Sequence, residues 1–301
     1  MYKSILDLIG NTPMVEIPNK VHQTNNTVLA KLEYFNPTHS LKDRIAIGLI
    51  EDAEKKGLIN KKTKIIEPTS GNMGISLAFV CSIKGYDITL VMPENMSEER
   101  KKLIKYFGGN LVLTAKELGF QGAISKSHQL KEEYGNAVVL DQYNNSVNFN
   151  VHYNTTAKEI FEQTNQNIDC FVAGAGTGAC ISAVSKYIKE RKELFTICVE
   201  PVENNILAGG DRFSPHALQG IGPNFVPNNF KKEYINEITP ISKTEAYEGA
   251  KMLTKCGIPG GVSSGAVFSA TMKHLSKFEN QTVCFLVADF CERYASSDLL
   301  A

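Results

Sequence analysis

The feature that most constrains this chain is an alternation sustained along its length, in which short β-rich runs are followed by amphipathic stretches of helical length. Candidate strands fall at residues 28–32, 63–67, 87–92, 110–113, 137–140, 170–173, 195–199 and 282–287. Helical patterns occupy 42–56, 73–83, 98–107, 121–134, 151–163, 179–191, 243–256 and 264–278. Runs such as Ile88-Thr89-Leu90-Val91-Met92 and Val283-Cys284-Phe285-Leu286-Val287 are continuously apolar, as strands are when helices cover both faces of a parallel sheet. The expectation is an α/β chain with mostly parallel, twisted sheets flanked by helices and right-handed crossovers. At roughly 100–200 residues per domain, 301 residues suggest two domains. A boundary is expected near 142–149, where Gln142-Tyr143-Asn144-Asn145-Ser146-Val147-Asn148 is polar and turn-prone. The longest aperiodic stretch is 209–229, and loops of that length inside compact domains tend to be functional.

Composition excludes several classes of function. Lys plus Arg and Asp plus Glu number 32 each, so no net field draws the chain to nucleic acid or an anionic membrane. No apolar run approaches the ~20 residues that span a bilayer, and Met1-Tyr2-Lys3-Ser4 does not open a signal peptide. Seven scattered cysteines, without a CxxC or a Cys/His cluster at metal spacing, suit free thiols in a reducing cytoplasm and no metal. A small-molecule enzyme or binding protein remains.

In open α/β sheets ligands bind beyond the C-terminal ends of strands, so the strand-to-helix turns are the places to look. Glu67-Pro68-Thr69-Ser70-Gly71-Asn72-Met73-Gly74 opens a helix with small hydroxyls, glycine and an amide, a set that binds a carboxylate or phenolate oxygen or serves as a plain N-cap. Gly174-Ala175-Gly176-Thr177-Gly178 suits a single phosphate at a helix N-terminus, or a purely structural turn. It is not a dinucleotide fingerprint, because Ala179 stands where the last glycine belongs, which argues against a nicotinamide-dependent dehydrogenase. Gly260-Gly261-Val262-Ser263-Ser264-Gly265 offers hydroxyls for capping or for a ligand heteroatom. In Asn36-Pro37-Thr38-His39-Ser40-Leu41-Lys42-Asp43-Arg44, Lys42 is either a solvated surface residue or, desolvated at a helix mouth, a nucleophilic amine.

Together these segments, with Gln219-Gly220-Ile221-Gly222, Ile9-Gly10-Asn11-Thr12-Pro13 and Met92-Pro93-Glu94-Asn95-Met96-Ser97-Glu98-Glu99-Arg100, occur in the order seen in the cysteine synthase (O-acetylserine sulfhydrylase) and cystathionine β-synthase family. The resemblance covers nearly the whole chain, to Glu292-Arg293-Tyr294, and its shortness resembles bacterial cysteine synthases. It implies the fold type II, tryptophan synthase β-like architecture. A smaller mobile domain (36–145) would grip substrate, and 1–35 with 146–301 would form a larger domain binding the cofactor phosphate.

By the same resemblance the cofactor is pyridoxal 5'-phosphate, bound as a Schiff base to Lys42, which also moves the substrate α-proton. Gly174, Gly176, Thr177, Gly178 and Cys180 would form the phosphate site, Asn72 would meet the ring hydroxyl, and Ser263 the ring nitrogen. Thr69, Ser70, Asn72, Met73, Gln142 and Gly220 would line the substrate side. Three sites depart from the family pattern: Met73 replaces a threonine, His39 a small residue, and Ala179-Cys180 a Gly-Thr pair. Asp289, beyond the last strand, is expected to make a structural hydrogen bond to the Arg293 region.

The implied reaction is β-replacement through an aminoacrylate, cysteine synthesis from O-acetylserine and sulfide being the family default. One rival is a cysteine-consuming enzyme that releases hydrogen sulfide and forms serine, lanthionine or cystathionine. Another is a non-catalytic partner of serine acetyltransferase. The resemblance also implies a homodimer acting on a small amino acid with sulfide or a thiol.

Overall fold

The computed structural model describes residues 1–69 and 71–300. In chain order the elements are β1 (Met14–Glu16), α1 (Asn19–His22), β2 (Thr27–Leu32), α2 (Lys42–Lys55), β3 (Lys64–Pro68), α3 (Asn72–Lys84), β4 (Asp87–Pro93), α4 (Glu98–Tyr106), β5 (Asn110–Thr114), α5 (Gly119–Tyr134) and β6 (Ala137–Val139). They continue with α6 (Val147–Asn154), α7 (Thr156–Gln163), β7 (Cys170–Gly174), α8 (Ala179–Lys189), β8 (Phe195–Pro201), β9 (Glu237–Ile241), α9 (Lys243–Lys255), α10 (Val262–His274) and β10 (Thr282–Val287).

Two sheets result. One has the order β5-β4-β3-β6, with every pairing parallel. The other runs β1-β2-β10-β7-β8-β9 and is parallel except for the short edge strand β1, which lies antiparallel to β2. In the smaller sheet the chain moves outward from β3 to β5 and returns to pair β6 with the other side of β3. The larger sheet repeats the pattern: β7, β8 and β9 step outward, and β10 returns to the other side of β7. Each reversal opens a crevice at the C-terminal ends of the strands flanking it, which is where α/β sheets bind ligands.

Strand interiors are buried on both faces: Val28 and Ala30 of β2, Ile65 and Ile66 of β3, and Val283, Cys284 and Phe285 of β10 are all sealed. Two strands escape the sequence reading. β1 has three residues between Pro13 and Pro18, and β9 carries Pro240, tolerated because β9 is an edge strand pairing only with β8. The single helical pattern over 151–163 is two helices, α6 and α7, broken at Thr155, whose φ and ψ are −123° and −78°.

An ion cluster ties α2 to the larger sheet. The Arg44 guanidinium donates to both Glu33 oxygens, Nε to Oε2 at 2.6 Å and NH2 to Oε1 at 2.8 Å, and to both Glu159 oxygens at 2.6 and 2.7 Å. Lys31 Nζ donates to Glu159 at 2.7 Å, to the Thr12 carbonyl at 2.7 Å and to Gln163 at 2.9 Å. Two positive charges therefore face two negative ones, with Lys31, Glu33 and Arg44 buried. All seven cysteines are free thiols, and among the described residues no helix is long and apolar enough to cross a membrane.

Candidate active site

The ends of β3, β7 and β10 bring the sequence-predicted turns together. Leu41 N–H donates to the Ala288 carbonyl at 2.9 Å, and Ser40 bridges Asp289, laying the lysine segment beside the end of β10. Gly261 N–H donates to the Asp289 carbonyl at 3.1 Å, and the Ser264 hydroxyl accepts from Ala288 N–H at 3.1 Å, which brings in the start of α10. Asn72 Nδ2 donates to Asp289 Oδ2 at 2.7 Å, bringing in α3. No N-cap side chain bonds the first turn of α2, α3, α8 or α10. Lys42 N–H reaches Ser40 Oγ at 3.3 Å and Ala179 N–H reaches Thr177 Oγ1 at 3.4 Å, and other first-turn N–H groups are left for a ligand. By contrast α9, which follows the edge strand β9, has a complete capping box of Ser242 and Glu245.

Lys42 is the first residue of α2, and its Nζ makes no hydrogen bond or ion pair among the described residues. Burial pulls its pKa down to about 8, while the neighbouring Cys180, Glu67 and Asp289 work in the opposite direction. Relative to an ordinary lysine at 10.5, roughly 300 times more of it is free amine at neutral pH. Burial also pushes Glu67 up to about 8, although its oxygens accept from the Asp141 and Gln142 N–H groups at 2.8 and 3.1 Å.

The glycine loop after β7 is held by close approach. A Cβ on Gly176 would lie 2.4 Å from the Gly220 carbonyl oxygen, and Gly178, at φ +74°, would place one 2.5 Å from Phe230. Gly174 ends β7, and Gly220, exposed at φ +90°, brings its own turn against the loop. Thr177 Oγ1 accepts from Asn148 Nδ2 at 3.1 Å and from Ala179 N–H at 3.4 Å, so its own proton is free to be donated to an anion. Cys180 is buried in the apolar cluster that holds Leu41 and Ala175, and burial pushes its thiol up to about 12, keeping it protonated. Ser263 is buried at the second position of α10 with no hydrogen bond to its hydroxyl among the described residues.

On the substrate side Thr69 is buried, with Oγ1 accepting from Gly71 N–H at 3.3 Å, and Gln142 is buried beneath its backbone bond to Glu67. Ser70 lies outside the described residues. Met73 corrects the sequence reading: its side chain is 1% exposed and packs in the core of the smaller sheet with Ile45, Leu49 and Ile104, so only its backbone belongs to the turn. His39, at φ +59°, points away from the turn to Glu292, 2.7 Å from Nδ1 to Oε1. Asp289 makes the expected hydrogen bond to the Arg293 region through the Tyr294 hydroxyl at 2.9 Å and adds a second partner in Asn72, while Arg293 itself reaches the Thr38 carbonyl.

Sequence reasoning missed Asn148, whose Nδ2 joins the Gln142 carbonyl, at 2.8 Å, to the Thr177 hydroxyl, and so ties the substrate side to the glycine loop. Its signal was its place in the polar segment taken only as a domain boundary. Asn229 reinforces the join, its Nδ2 lying 2.9–3.2 Å from the carbonyls of Gln142, Tyr143 and Asn145.

These residues fit a phosphorylated pyridine aldehyde. An amine and a buried Asn72 Oδ1 that have no partner among the described residues, and a glycine-rich loop at the N-terminus of α8, are the groups such a ligand would complete. Comparison with known proteins agrees. Residues 5–289 match the family model described as pyridoxal-phosphate dependent enzyme. A cysteine synthase B of Campylobacter jejuni is 41% identical over 303 aligned positions, covering 100% of this chain and 99% of that one. Among solved structures, isoform 3 of O-acetyl serine sulfhydrylase from Entamoeba histolytica superposes with a TM-score of 0.94 at 39% identity, over 99% of this chain and 91% of that one. A hydrogen sulfide-producing enzyme from Fusobacterium nucleatum gives 0.94 at 38%, over 98% and 100%. The chain belongs to the cysteine synthase family of pyridoxal-phosphate dependent enzymes, with the fold type II architecture.

Proposed function

We propose that this protein is a cysteine synthase, replacing the acetoxy group of O-acetylserine with sulfide to give cysteine and acetate. The observation that carries the reading is the unpartnered Lys42 amine, lowered to about 8, beside four helix N-termini and an unpaired Asn72 oxygen. Bound there, pyridoxal phosphate supplies an electron sink for the charge left when Cα loses its proton. Lys42 takes that proton at Nζ, a task matched to a base poised near neutrality. Gly176, Thr177, Gly178 and the N-terminus of α8 hold the phosphate dianion. Thr69, Asn72, Gln142 and the first turn of α3 orient the substrate carboxylate.

Ser263 offers the ring nitrogen a neutral hydroxyl, while Asp289 is engaged by Asn72 and Tyr294. Without a carboxylate to favour ring protonation, loss of the β-substituent outcompetes racemisation and transamination. Residues 36–145 move as a unit over the bound substrate and exclude water from the reacting carbon. The protein acts in the cytoplasm as a homodimer, the commonest symmetric assembly, and the cleft that takes O-acetylserine also accepts the tail of serine acetyltransferase.

The test is product analysis by mass spectrometry of O-acetylserine with sulfide, and of cysteine alone or with homocysteine. Cysteine formation at least tenfold faster than sulfide release is the expected result. Faster sulfide release from cysteine would assign the protein to the sulfide-producing branch, and turnover by Lys42→Ala at the wild-type rate would remove Lys42 from the chemistry.

A further inference from the structure

Two buried oxygens near the lysine segment have no partner among the described residues: Asn72 Oδ1 and Asp289 Oδ1. They belong to one hydrogen-bonded pair, since Asn72 Nδ2 donates to Asp289 Oδ2 at 2.7 Å and Tyr294 donates to the same oxygen at 2.9 Å. The pair has two self-consistent states. With Asp289 ionised it only accepts, so it holds the amide nitrogen toward itself and leaves Asn72 Oδ1, an acceptor, facing away. With Asp289 protonated, its O–H donates to Asn72 Oδ1 once the amide has turned through about 180°, a rotation that exchanges two atoms of nearly equal size. Asn72 then faces away from Asp289 with its NH2 group, a donor suited to an ionised oxygen.

The inference rests on the reading that Asn72 meets the cofactor ring hydroxyl. We propose that Asp289 is a positioning residue that takes up one proton from solvent when the cofactor enters with its ring hydroxyl already ionised, turning the Asn72 amide so that its NH2 group faces the ionised ring oxygen. The proton count is conserved: one proton leaves the solvent, the Asp289 O–H bond forms, and the carboxylate loses its negative charge as that of the ring oxygen enters the site. Two adjacent negative charges in a desolvated site would repel, so the arrival of one favours protonation of the other.

The surroundings favour the protonated form of Asp289 more than water does. Burial raises its pKa above the ordinary carboxylate value, while its bonds to Asn72 and Tyr294 and the charges of Arg100 on α4 and Arg293 in the C-terminal turn pull it down. Lys42 faces it from α2, and Cys291 lies beside it with a thiol raised chiefly by burial. Gly261 fits against the other carboxylate oxygen: a Cβ there would fall 2.3 Å from Asp289 Oδ1, so no side chain at that position crowds the carboxyl group.

The experiment is infrared difference spectroscopy of the holoenzyme against the cofactor-free protein, with visible absorption recorded on the same samples. The expected result is a new protonated-carboxyl band on addition of pyridoxal phosphate. The band shifts in heavy water and with aspartate labelled with carbon-13 at the side-chain carboxyl, and it is absent in Asp289→Asn. Tyr294→Phe, which leaves the carboxyl group in place, retains the band at a shifted frequency. A purely structural role for Asp289 predicts altered thermal stability in both variants and no carboxyl band in the wild type. Visible spectra showing bound cofactor without that band overturn the proposal while leaving the proposed function intact. A protein that takes up no pyridoxal phosphate overturns both. Isotope labelling reads the wild-type protein alone, so the test stands even if Asp289→Asn does not fold.

Discussion

Glu33→Gln should be among the most destabilising single changes available outside the reacting groups. The substitution keeps the shape of the side chain but removes a charge that Arg44 grips through two bonds of 2.6 and 2.8 Å, with both residues sealed from water. The wild-type cluster is electrically balanced, Arg44 and Lys31 against Glu33 and Glu159; the variant carries one uncompensated positive charge. Breaking a buried pair by removing one partner costs about 3–5 kcal/mol, whereas removing both partners in favour of apolar groups is often close to neutral. The double variant Glu33→Leu with Arg44→Met leaves Lys31 and Glu159 paired, and should be more stable than Glu33→Gln by about 2 kcal/mol or more. Urea unfolding of the cofactor-free proteins, followed by far-ultraviolet circular dichroism because the chain has no tryptophan, measures both. A loss below about 1 kcal/mol for Glu33→Gln, or a double variant no better than the single, would refute the charge-balance argument.

Other expectations are equally direct. Glu159 is held at about 2 by Arg44 and Lys31, which outweigh the opposing effect of burial, against 4.5 when unpaired. A depressed carboxylate stabilises the fold above its unfolded value, and the benefit is lost as pH falls from about 4.5 toward 2, so roughly 3 kcal/mol should disappear across that window and the slope should flatten in Glu159→Gln. Because burial lowers Lys42, its amine is neutral above about 8, and covalent capture of pyridoxal phosphate by the cofactor-free protein should accelerate through pH 8 and then level. A rate still climbing tenfold per unit at pH 10 would contradict that. Gly178→Ala, at φ +74° and against Phe230, should weaken cofactor binding by about tenfold or more in a direct titration. Met73→Ala should cost about 2–5 kcal/mol in urea unfolding, as for a core methionine.

The strand-to-helix turns were legible because their chemistry is local: glycine, asparagine and serine stand just before an apolar helical pattern, and the fold brings those turns to one crevice. What stayed hidden depends on distant partners. Asp289 and Asn72 lie 217 positions apart, and nothing at either site announces the bond between them. Asn148 read as part of a polar linker because the carbonyl and hydroxyl it joins are placed by two different sheets. Met73 was misplaced for a helical reason: one residue past Asn72 the side chain has turned by about 100° and enters the core. The strands β1 and β9 were lost because prolines mark an edge as readily as a loop.

The order of strands in the larger sheet bears on how the molecule is made. β10, the last of the strands in chain order, lies between β2 and β7, with Val283 beside both Val28 and Cys170. The smaller sheet draws all its strands from one contiguous stretch, Lys64 to Val139, and can pair while the chain is still growing. The larger sheet cannot: β2 waits with an open edge through some 250 residues of synthesis, since its parallel neighbour begins at Thr282. Asp289, and with it the anchor for Asn72, arrives just after that strand. A ribosome that stalls short of it leaves a chain with a formed smaller sheet, a β2 paired only with β1 and no assembled catalytic centre, so incomplete products are inactive and expose a strand edge to quality control.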